Sequence, residues 1–166
     1  MRRLLVLIGV LTLVLPAGAG ALKGAPGDGT LVVENAQGVV GMTVRGGIIG
    51  RFDQGSIIID DPLPNDGPPP IVKGYQKSRV LGPRRTQYIG EGDIRFRLIG
   101  GLYRARISAI GLDVSVVGRG TVLLDGSGFA DQPGHFSING LSFQAFPSVP
   151  MRFALGPPPP GIVGSK

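Results

Sequence analysis

The sequence predicts an all-β protein, an antiparallel β-sandwich or flattened barrel built from two sequence repeats. Three observations carry the prediction. No window holds a helical hydrophobic period beyond a turn or two, while Ile, Val, Leu and Phe fill the apolar runs. Glycines, 29 among 166 residues, interrupt those runs every 8 to 10 residues, as turns do between short strands. The chain also matches itself. Gly29-Thr-Leu31-Val-Val33 aligns with Gly92-Asp-Ile94-Arg-Phe96 at an offset of 63 residues, and GSIIID from Gly55 aligns with GTVLLD from Gly120 at 65. A β-solenoid is the alternative, since regular glycine spacing suits it too.

The first element is MRRLLVLIGVLTLVLPAGAGA. Two arginines precede an apolar run from Leu4 to Leu15, and small residues end in an Ala-x-Ala at Ala19 or Ala21. This is the pattern of a secretion signal, and the run is too short for a permanent span, which needs about 20 apolar residues. Residues 1–21 are therefore expected to be a signal peptide, residues 22–155 a single β domain with repeats at about 29–81 and 92–147, and residues 156–166 a Pro-rich flexible tail. No transmembrane segment is expected after cleavage. The chain has no cysteine, which excludes thiol chemistry, disulfides and cysteine-held metals. It is secreted or envelope-associated on this reading.

Within the domain about ten to twelve strands are expected. In repeat one Leu31, Val33, Val40, Met42, Val44, Ile48, Phe52, Ile57 and Ile59 should face the core. With Gly100 and Gly101 as a two-residue hairpin loop, Ile94, Phe96 and Leu98 share a face with Tyr103, Ala105 and Ile107. A looser loop at residues 108–111 then brings in Leu112, Val114 and Val116, with Asp113 opposite Arg106. Asn139-Gly140, the preferred type I′ pair, marks a second hairpin between HFSI and LSFQ.

The same hairpin sets Arg97 across from Arg104 and Arg95 across from Arg106. Like charges opposite one another on a sheet cost from a few tenths to about 1 kcal/mol. The equivalent positions of repeat one are Val32, Glu34, Gly41 and Thr43, so the architecture does not demand arginine there. Charge is polarised more widely: residues 29–66 carry two basic and five acidic side chains, residues 71–107 nine basic and two acidic. The formal net charge is +6. These features point to an anion-binding face of Arg95, Arg97, Arg104 and Arg106, because the guanidinium fork meets carboxylate or phosphate with two hydrogen bonds. The expected partners are an anionic polysaccharide, a wall polymer or lipid headgroups. Nucleic acid is not expected, since the chain has no Trp and few aromatics for bases to stack on. A solvated polar sheet face is the plainer alternative.

Catalysis has little support. His135 is the single histidine and has no cysteine or second histidine for a triad or a zinc site. No pair of carboxylates is placed for glycoside hydrolysis, so no enzyme activity and no cofactor are expected. Asp60, Asp61 and Asp66 in DDPLPND form a weak calcium candidate, because they supply hard oxygen ligands; Pro62 and Pro64 favour simple turn chemistry instead.

The run IRFRLIGGLYRARI followed by GLDVSVVGRGTVLLDG resembles a segment of small exported proteins of high-GC Gram-positive bacteria, over residues 92–128. Those proteins have no assigned function, so the resemblance implies a secreted bacterial β domain and no activity. The functional expectation is an exported, non-catalytic envelope or extracellular protein that binds an anionic polymer or lipid surface through arginines. The alternative is a structural or assembly module that acts through its β edges. The sequence leaves the oligomeric state open.

Overall fold

The computed structural model describes residues 24–128 and 134–157. The expected signal peptide at residues 1–21 and residues 158–166 of the expected tail lie outside the described residues. Seven strands form one open antiparallel sheet: β1 (Gly29–Asp60), β2 (Ile71–Lys73), β3 (Lys77–Gly82), β4 (Arg85–Asp125), β5 (His135–Ile138), β6 (Gln144–Ala145) and β7 (Met151–Leu155). There is no helix among the described residues. Every pairing is antiparallel, unlike the parallel coils of a β-solenoid.

The strand count is lower than the sequence suggests because two strands are very long. β1 has 32 residues and β4 has 41, against about 5–6 for an ordinary strand. Together they make a ribbon that winds on itself. Thr43 pairs with Arg104, and Arg104 pairs on its other edge with Asp60, so one passage around the ribbon advances β1 by 17 residues. Val33, Val114 and Gly50 repeat that step.

The winding divides the sheet into two panels. Residues 29–33, 47–52, 94–99 and 112–118 form the first, edged by β2 and β5. Residues 39–45, 55–60, 85–90, 102–109 and 119–125 form the second, edged by β3 and β7. The chain crosses between panels at glycine-marked corners. Gly46 (φ +150°) shows why the residue is needed there. A Cβ on it would stand 2.2 Å from the Val117 carbonyl oxygen, and no side chain fits that crossing.

Gly100 is such a corner, not a hairpin turn. Its φ of +82° bends a strand that continues; residues 94–99 pair with 47–52, and residues 102–108 pair with 39–45. The loop expected at residues 108–111 is likewise a corner inside β4, with Gly111 at φ +64°. Arg97 therefore does not oppose Arg104, nor Arg95 oppose Arg106, and Asp113 faces Arg51 in place of Arg106. A corner and a reversal share one property: each shifts the in/out alternation by one residue. All eighteen positions expected to face inward in the two repeats are accordingly buried.

Those side chains fill the space inside the ribbon, with Phe52, Ile48, Leu98, Tyr103 and Leu112 among the largest of the fully buried ones. The Pro-rich stretch between β1 and β2 is strapped over the Gly100 corner. Asp66 accepts a hydrogen bond from the Leu102 N–H (3.1 Å), and the Tyr103 hydroxyl donates to the Pro68 carbonyl (2.8 Å). The Asn139-Gly140 turn lies where the sequence places it, with φ of +52° and +70° and a hydrogen bond from Leu141 N–H to the Ile138 carbonyl (3.0 Å). Its return strand is only β6, paired with His135 and Phe136.

Candidate anion-binding site

The panels separate the four arginines. Arg95 and Arg97 lie on the outer face of the first panel and Arg104 and Arg106 on that of the second, all four exposed. The four residues of the expected site thus fall into two pairs, and their surroundings differ.

On the first panel one cross-strand row reads Lys73, Arg95, Arg51, Asp113, each directly opposite the next. Three cations in succession face one another, which is the costly arrangement expected of the arginines but with other partners. Arg97, two residues beyond Arg95, adds a fourth on the same face. The cations rim an open groove of about 820 Å³, whose floor includes Val32, Ile49 and Ile71.

Two of the four are partly compensated. Arg51 Nε donates to Asp113 Oδ2 (2.8 Å), and this partner holds the guanidinium pKa above its ordinary value. Asp113 is tied in turn, since its other oxygen accepts the Asn35 N–H (2.8 Å), whose residue sits at φ +48°. Arg95 pairs with its neighbour Asp93, and the hydrogen bond from Arg95 holds the Asp93 carboxyl below the usual carboxylate value. Lys73 and Arg97 have no ion pair among the described residues. Arg51 and Lys73 were missed in the sequence as members of this site.

The second panel spreads its charge. Arg104 lies 3.6 Å from Asp60. Arg106 is flanked across the strands by Ile58 and Gly41, and Asp60 separates Arg104 from Arg85. The one directly opposed basic pair there, Arg45 and Arg119, is compensated on both sides, by Asp66 at 2.9 Å and by Asp28 at 3.1 Å.

The calcium candidates are turned to other tasks. Asp60 faces Arg104, Asp66 pairs with Arg45 at 2.9 Å and holds the Leu102 N–H, and Asp61 keeps one buried oxygen without a hydrogen-bond partner. Among the described residues no group of three or more His, Asp or Glu side chains could hold a metal. His135 is exposed on β5 opposite Glu34. No helix among the described residues is long and apolar enough to cross a membrane.

No known family, curated protein or solved structure matches this chain.

Proposed function

We propose that this is an exported, non-catalytic protein of the cell envelope or exterior that holds an anionic group in the first-panel groove. Arg97 and Lys73 supply uncompensated charge, and Arg95 and Arg51 complete the cluster. The anion is carried by a polysaccharide, a wall polymer or a lipid. The observation that carries the reading is the row Lys73, Arg95, Arg51. Two adjacent like-charge contacts cost the fold up to about 1 kcal/mol each, and an anion between them turns that cost into charge-assisted hydrogen bonds. Arg104 and Arg106 are surface charges on this account.

The test is retention of the purified protein on an anionic polysaccharide matrix and on anionic liposomes at low and high salt. A Lys73→Ser/Arg95→Ser/Arg97→Ser variant is compared with Arg104→Ser/Arg106→Ser. Loss in the first variant alone, with release of the wild type by salt, is the expected result. Equal retention of both variants would sink the reading.

We read the wound ribbon as a flattened barrel formed from two repeats. The register supports this: the repeat carries Leu31 onto Ile94 and Val116 onto Phe52, and both Leu31–Val116 and Phe52–Ile94 are cross-strand pairs.

A second reading, assembly through β edges, has one observation in its favour. β3 pairs on one side only, and Val80 is 75% exposed on it. Lys77 and Arg79 on the same strand are the charges that ordinarily discourage edge pairing. Association that strengthens with salt and is lost on Val80→Lys would favour this reading over the first.

A further inference from the structure

We infer that the groove's ligand is an anionic amphiphile: a hydrocarbon chain that ends in a phosphate or carboxylate. The head sits among Lys73, Arg95, Arg51 and Arg97, and the chain lies over Ile71, Ile49 and Val32. The inference rests on the anion-binding reading of the same groove and narrows it.

Beside the charged row runs a second cross-strand row, Ile71, Arg97, Ile49, Ser115, Val32. Outward positions on a solvated sheet face are ordinarily polar, yet three of these five are β-branched hydrocarbons, and Ile71 is 48% exposed.

The charged row is also polarised. Its cations lie toward β2, and Asp113 and Glu34 lie toward β5. A polyanion laid along the row would meet those two carboxylates. A ligand with one anionic end avoids them, and its uncharged remainder finds the apolar row instead.

The test is titration of the purified protein, by calorimetry below micelle-forming concentrations, with inorganic phosphate and with butyl, octyl and dodecyl phosphate. Affinity should rise about two- to fourfold per added methylene until the chain outruns the floor. Ile49→Asn/Ile71→Asn should abolish that rise and leave inorganic phosphate binding unchanged, whereas Lys73→Ser/Arg97→Ser should weaken every probe; circular dichroism checks that each variant is folded. If dodecyl phosphate binds no tighter than inorganic phosphate, the amphiphile is overturned and the anion site stands. If no probe binds, both fall. Equal binding of a neutral dodecyl glycoside would overturn the anionic head. A change only in oligomeric state on Ile49→Asn/Ile71→Asn, with alkyl phosphate binding intact, would assign the apolar row to a second copy of the chain and overturn the inference.

Discussion

Asp113 both neutralises the cation row and fixes a strained backbone, and two substitutions separate these roles. Asp113→Asn keeps an oxygen for the Asn35 N–H but removes the charge opposite Arg51. The pair is partly solvated, with side chains 57% and 35% exposed, so its direct worth is about 0.5–1 kcal/mol. Asp113→Ala also loses the 2.8 Å hydrogen bond from Asn35, which adds about 1 kcal/mol. In a domain of this size each kcal/mol lowers Tm by about 3–5 °C. The Asn variant should therefore melt a few degrees below the wild type and the Ala variant about two to three times as far below. Differential scanning calorimetry in chloride and in phosphate at matched ionic strength supplies the assay. Salt should narrow the deficit of the Asn variant by screening the repulsion, and phosphate should do so more than chloride because it binds the folded cluster. If the two anions act alike, or both variants melt with the wild type, the reasoning about the row is wrong.

Gly46→Ala should cost about 3 kcal/mol or more, since at φ +150° its Cβ meets the Val117 carbonyl at 2.2 Å. Gly92→Ala, at φ +100° with nothing within 4 Å, should cost about 1–2 kcal/mol from backbone strain alone; equal losses in urea denaturation would contradict the close crossing of strands. Tyr103→Phe gives up the 2.8 Å hydrogen bond to Pro68. It should destabilise by about 1 kcal/mol and speed proteolysis in residues 61–70, and unchanged cleavage would mean that the strap is held by other contacts. Asp28 is held below the usual carboxylate value, first by the Ala25 N–H and then by Arg119. A lowered folded pKa contributes stability above the unfolded value near 4 that is lost as pH falls through the folded value, so stability should drop below about pH 4. Asp28→Asn should flatten that acid slope in pH-dependent melts, and an unaltered slope would assign it to other carboxyls.

The in/out alternation was legible because it is local: from Leu31 to Ile59 and from Ile94 to Val116 the buried positions recur at every second residue within each straight run. The partner of each strand was not. Gly100 at φ +82° serves a hairpin and a corner equally well, and the choice is made by residues 47–52, which lie far away in sequence and pair with 94–99. Because both geometries shift the alternation alike, the core could be read correctly from an incorrect pairing. The charges show the consequence. An anion-binding site was expected from the cost of opposed arginines, and that cost exists, but between Arg95, Arg51 and Lys73. Arg51 belongs to the acidic first repeat and Lys73 to a three-residue edge strand, so neither stood out by composition. Pairing one repeat antiparallel with the other would have set Arg51 opposite Arg95.

The central claim is that an anion sits among Arg51, Lys73, Arg95 and Arg97. Titration of isotope-labelled protein with inorganic phosphate, followed through the arginine Nε–H and lysine Nζ resonances, tests it most directly. The account predicts saturable shifts at Arg51, Arg95, Arg97 and Lys73 that vanish in Lys73→Ser/Arg97→Ser, with Arg104 and Arg106 unmoved. Shifts centred on Arg104 and Arg106, or spread evenly over all the arginines, would contradict it.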